Sequence, residues 1–154
     1  MATNDIANNV SVSQILDPAV ITATTPTSSV DTQFDNGCML MVTLGDSADT
    51  LSGSVYWELI LQESSDDATW SAVTSATSVT WGSVNSSTGV FATINLAGED
   101  DSVYKIGYTG PERYVRVNVV ATGTHSSGTP VGALAGTSPI HKPSSGGNDG
   151  SPTG

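Results

Sequence analysis

Arg113-Tyr114-Val115-Arg116-Val117-Asn118-Val119-Val120-Ala121 alternates with a period of two. Successive side chains of an extended strand point to opposite faces, so Val115, Val117 and Val119 share one side and Tyr114, Arg116, Asn118 and Val120 the other. The all-valine side is the one water rejects. It is expected to face inward, with a half-polar side left outside.

The same signal recurs in both directions along the chain. Upstream, Val103 to Tyr108 reads as a strand joined to Arg113–Ala121 by the tight turn Thr109-Gly110-Pro111-Glu112. Ser54 to Glu63 places Val55, Trp57, Leu59 and Leu61 on one face and Tyr56, Glu58, Ile60 and Gln62 on the other. Ser64-Ser65-Asp66-Asp67 then forms a hairpin turn, from which Thr69 to Val73 returns antiparallel. Val90 to Leu96 alternates again. Cys38 to Leu44 is apolar almost throughout and predicts a strand covered on both faces. Ala19 to Thr25 and Thr129 to Ala135 are further short strands. Seven to nine strands at close spacing, with turn-rich loops and no helical period between them, describe an all-β chain: a single antiparallel β-sandwich or jelly roll.

Residues 1–18 carry scattered Ile6, Val10, Val12, Ile15 and Leu16, the pattern of an N-terminal arm or a first edge strand closing at Asp17-Pro18. The sandwich is expected over 19–136. From 137 to 154 the chain is rich in Gly, Ser and Pro with one large apolar residue, Ile140, and reads as a flexible tail.

Composition limits the partners. The chain has 154 residues with a formal charge of −11, a potential that opposes nucleic acid and anionic lipid. Only 12% of residues are charged, so solubility rests on Ser, Thr, Asn and Gly. No segment reaches the length of a membrane span or a signal peptide, and synthesis in the cytoplasm is expected. Cys38 is single and lies in an apolar run, which predicts a buried small hydrophobe.

Catalytic readings find little purchase. His125 lies in a Gly/Ser loop and His141 in the tail, where neither is expected to be held for acid–base work. The nucleophile motif Gly-x-Ser-x-Gly does not occur, and one Cys with two distant His cannot form a zinc site. A polysaccharide hydrolase would need two converging carboxylates from Glu58, Glu63, Asp66, Asp67, Glu99, Asp100 and Asp101, most of which fall at turns. No cofactor is expected. Calcium is the one cation that Asp66-Asp67 and Glu99-Asp100-Asp101 would suit, although no EF-hand spacing is present. Trp57, Trp70 and Trp81 suit a sandwich core, or, in a carbohydrate-binding module, the stacking of sugar rings.

The stretch Val103-Tyr104-Lys105-Ile106-Gly107-Tyr108-Thr109-Gly110-Pro111-Glu112-Arg113-Tyr114-Val115-Arg116-Val117 goes beyond a generic strand pair. With Gln62 to Trp70 upstream, and Thr129-Pro130-Val131 and Pro139-Ile140-His141-Lys142-Pro143 downstream, it resembles small virion proteins of tailed bacteriophages and related particles. These are capsid-decorating, cement or head-fibre components. The resemblance implies a non-enzymatic structural protein on the capsid surface, bound to the major capsid protein or another head protein in several symmetric copies. Candidate contacts are Arg113 and Arg116, and Ile6, Val10 and Val12 of an arm that would order on binding. The alternative is a carbohydrate-binding sandwich that uses surface aromatics.

Overall fold

The computed structural model describes residues 9–139. Among them lie ten strands: β1 (Ser11–Ile21), β2 (Thr25–Pro26), β3 (Val30–Asp31), β4 (Asp35–Leu44), β5 (Tyr56–Ser64), β6 (Ser71–Ala72), β7 (Val90–Ile94), β8 (Ser102–Tyr108), β9 (Tyr114–Thr122) and β10 (Thr129–Pro139). Ala76–Ser78 forms a 3-10 turn. Every pairing is antiparallel. The first sheet runs β1-β10-β4-β8; the second centres on β9 and β5, with β2 and β3 beside β9 and β6 and β7 beside β5. The chain is an antiparallel β-sandwich.

Its core follows the alternation. Val115, Val117 and Val119 are fully buried, as are Trp57, Leu59 and Leu61 on the neighbouring strand β5. The first sheet contributes Leu40, Val42 and Leu44 from β4, Ile106 from β8, and Ala133 and Ala135 from β10. Each large aliphatic side chain removed from water in this way stabilises the fold by about 1.5–3 kcal/mol before ordering entropy is counted.

Several segments depart from the expectation. Cys38–Leu44 is not covered on both faces: Cys38, Leu40, Val42 and Leu44 point inward, while Met39 and Thr43 are exposed and Met41 half-buried. Methionine on the outer face made the run look continuous, but an antiparallel sheet needs only one covered face. In β7 the strand stops at Ile94, and Leu96 is 59% exposed. There the Glu99 carboxylate accepts from the backbone N–H groups of Asn95 and Leu96 and turns the chain away. Of Thr69–Val73, only Ser71 and Ala72 pair in the sheet.

β1 runs through Asp17-Pro18 to Ile21, so the boundary between arm and sandwich falls inside a strand. Pro18 is tolerated because β1 is an edge, where a missing N–H breaks no ladder. At the other end β10 extends past 136, pairing Thr137 with Cys38, Ser138 with Gly37 and Pro139 with Asp35. Ile6 and His141 lie outside the described residues, as does the rest of the tail beyond Pro139.

Both sheets end in blunted edges. β1 is broken by register shifts on either side of Leu16 and by Pro18. β8 is capped by residues 79–81: Val79 bridges Tyr108, and Thr80 N–H donates to the Gly107 carbonyl at 3.1 Å. The second sheet ends in β2, β3 and β6, each two residues long, and in β7.

Candidate functional site

The loop expected to be loose holds the most ordered polar cluster. Gly123 and Gly128 both have φ near +80°, a conformation that favours glycine, and between them the chain folds His125 into the core at 4% exposure. Its ring stacks on Trp57 at 4.1 Å between centroids. Nε2 lies 3.1 Å from the Thr122 carbonyl and 3.3 Å from that of Tyr56, two acceptors that require this nitrogen to carry the proton. Nδ1 has no hydrogen-bond partner, and the Asp49 carboxylate stands 3.8 Å away. Asp49 accepts instead from the backbone of Ser127 and Gly128, and these bonds hold its carboxyl below the usual carboxylate range. The Trp57 indole donates to Thr129 Oγ1, which donates to Ser47 Oγ. This cluster locks the 45–51 and 123–129 loops together beneath the sheets. Composition misread the segment because glycine serves tight turns as readily as mobile loops.

The Tyr108–Arg116 stretch is also committed to the fold. The Tyr108 ring lies against Gly110, and its hydroxyl donates to Glu63 at 2.6 Å and accepts from Glu112 N–H at 3.1 Å. Burial, with the Glu63 bond second, pushes the phenol well above its ordinary range. Arg113 clasps Asp31 of β3 with two nitrogens, Nη2 to Oδ2 at 2.6 Å, and both side chains remain 43% exposed. Among the described residues Arg116 meets no carboxylate within ion-pair distance: it donates to Gln62 and lies over Trp70, 4.1 Å from the ring centre.

The carboxylate clusters work as turn formers. Asp66 accepts from the N–H groups of Ala68 and Thr69 and from Ser64 Oγ, bonds that hold it at about 2. Asp100 accepts from Ser47 and Gly98 N–H, which lowers it as well. Among the described residues no three His, Cys, Asp or Glu side chains converge on a metal position. Cys38 is buried, and desolvation pushes its thiol up to about 12.

The outer face of the first sheet is different in character. The register lays out four rows across it: Val12–Gly136–Met39–Gly107, Gln14–Leu134–Met41–Lys105, Gly132–Thr43–Val103, and Val20–Pro130. Of the eight exposed large hydrophobics among the described residues, five lie in these rows: Val12, Val20, Met39, Val103 and Leu134. A sixth, Trp81, is carried over Gly107 by the capping segment and is 61% exposed, with Lys105 Nζ 4.3 Å from its ring centre. No row contains a carboxylate, and Lys105 is the only charge. At one end a groove of about 430 Å³ opens between Val10, Met39 and Trp81, floored by Gly107 and Gly136. A smaller apolar groove follows along Pro18, Thr43, Pro130 and Gly132.

Val10 and Val12 therefore stand together on one apolar surface, while Arg113 and Arg116 lie on the second sheet's strand and its approach, away from it. Met39, Val103 and Leu134 were not singled out in the sequence. Their signal was present as apolar residues at the alternate, outward positions of strands. Of the tryptophans only Trp57 belongs to the core; Trp70 is half-buried beside Arg116. Compared with protein-family models and with curated proteins, the chain matches none of them.

Proposed function

We propose that the chain is a virion structural protein that binds the outside of a phage capsid, as a decoration, cement or head-fibre component. The observation that supports it is the setting of Val10 and Val12. Val12 is 60% exposed, and Val10 lines an apolar groove at the end of a sandwich whose sheet edges are blunted. Residues 1–8, with Ile6, join the described chain at that end. An arm that binds the capsid and leads into β1 would anchor a rigid body. The partner is the major capsid protein or another head protein.

Mass spectrometry of purified particles, with and without a double change Ile6→Asp and Val12→Asp, tests this. The chain is expected in wild-type particles and depleted from those carrying the variant. Its absence from wild-type particles overturns the reading; undiminished occupancy in the variant removes the arm from it.

Trp81 favours a second reading, the carbohydrate-binding module. It is exposed beside the groove, with Lys105 over the ring. A glycan array and a Trp81→Ala comparison decide it, since a blank array leaves this reading without support.

A further inference from the structure

We infer that the outer face of the first sheet is where a second copy of this chain docks, face to face. The inference shares Val12 with the virion reading, but it concerns what the isolated protein does in solution and is tested there.

Three observations select the occupant. The first is charge. Two chains of −11 each repel over most of their surfaces, so they can approach closely only where carboxylates are missing. The four rows of this face hold no carboxylate of their own: Asp35 and Asp101 stand at the ends of its strands, and Asp17, in the β1 bulge, is held at the β1 margin by the Gln14 side chain at 2.8 Å. A strongly basic partner would instead be drawn to the acidic remainder of the molecule.

The second observation is that edge pairing is obstructed. Pro18 and the β1 register shifts break one edge of the first sheet, and residues 79–81 occupy the Gly107–Tyr108 end of the other, which leaves it a run of five residues, Ser102–Ile106. Self-association by strand addition therefore has no long free ladder to use. Stacking of sheet faces needs none.

The third is extent. The thirteen row positions, at about 33 Å² each from a row spacing of about 6.8 Å and a strand spacing of about 4.8 Å, give roughly 420 Å² per copy, hence about 850 Å² for a two-fold pair before the exposed Trp81 at its end is counted. That is the size of a weak, reversible interface. Leu134 and Met41 lie adjacent on the middle strands of this patch, with Val103 on one flank and Val20 on the other. In a two-fold arrangement each of these side chains meets the partner's copy of the same surface, so one substitution acts twice.

Sedimentation equilibrium of the full chain across the micromolar range, at low and high salt, tests the inference. The expected result is a monomer–dimer equilibrium that tightens as salt screens the repulsion between two acidic bodies. Leu134→Glu and, separately, Val103→Lys are expected to raise the dissociation constant at least about tenfold, a loss of about 1.4 kcal/mol. Far-UV circular dichroism and the thermal midpoint verify that each variant is folded, and Val103, at 67% exposure, tolerates change with least risk to the fold. A wild-type chain that stays monomeric at both salt concentrations overturns the inference. So does a dimer that both variants leave intact, which would place the contact elsewhere, including in the terminal segments. Monomeric Leu134→Glu that still binds particles supports this interface and leaves the capsid reading standing; wild-type dimers that never bind particles support the interface and defeat the capsid reading.

Discussion

The hydroxyl of Tyr108 donates to the carboxylate of Glu63 at 2.6 Å, tying an edge strand of the first sheet to a central strand of the second. Another such bond between the layers is the one that the Trp57 indole of β5 donates to Thr129 of β10. The Tyr108 hydroxyl accepts from Glu112 N–H and so also holds the Thr109–Glu112 turn.

Tyr108→Phe keeps the ring against Gly110 and removes only these bonds. Loss of a hydrogen bond to a charged group costs about 1.5–3 kcal/mol, and Glu112 N–H loses its acceptor as well. The urea midpoint is expected to fall by an amount in that range. An unchanged midpoint would mean that water replaces the hydroxyl at no cost.

His125 makes a second prediction, about both tautomer and packing. The two carbonyls at Nε2 require the Nε2–H form, which the ¹⁵N shifts of the ring report directly. His125→Ala removes the stack on Trp57 and opens a cavity in the core, at a cost of about 2–4 kcal/mol. A ring found in the Nδ1–H form would contradict the arrangement.

These two sites were unequally legible in the sequence. The valines of β9 announce themselves because strand geometry enforces a period of two and burial enforces valine on one side. The turn at Gly110-Pro111 is read for a similar reason, since its backbone demands those residues. Which atoms Tyr108 would reach was not legible, because Glu63 is 45 positions away and the contact depends on how two sheets stack. His125 was misjudged because Gly123 and Gly128 look the same in a sequence whether they free a loop or tighten it. Met39 and Met41 were taken as core because hydrophobicity tells a buried face from an outer one only when the outer face is polar. That failure coincides with the face assigned here to a second copy.

Acid should act on the Ser64–Thr69 turn. Asp66 is held at about 2, chiefly by the Thr69 N–H and then by Ala68 N–H and Ser64 Oγ, against an ordinary value of 3.8. A carboxyl depressed in the folded state contributes stability that is fully present above its unfolded value and drains away as pH falls through its folded value. Asp66→Ala is therefore expected to be less stable than the wild type at neutral pH, with the difference closing between pH 4 and about 2. Urea midpoints measured across that range check it, and a difference that is independent of pH would assign the effect to turn propensity alone.

Arg113 and Arg116 are separable by the same measurement, and the separation decides how a particle-binding defect at either is to be read. The Arg113–Asp31 pair is half-exposed on both sides, so water and salt already screen it and its removal should barely move the midpoint. Arg116 lies flat over Trp70 and bonds Gln62 from within the second sheet, and partial burial lowers its guanidinium from the ordinary value. Arg116→Ala should cost about 1 kcal/mol through the lost stacking and uncovered ring, and should shift the tryptophan emission. Charge reversal at Arg113 that weakens particle binding while leaving the midpoint in place would then identify a partner contact. The same loss at Arg116 would carry that meaning only if Arg116→Lys, which keeps the charge but not the planar stack, restored binding without restoring the emission.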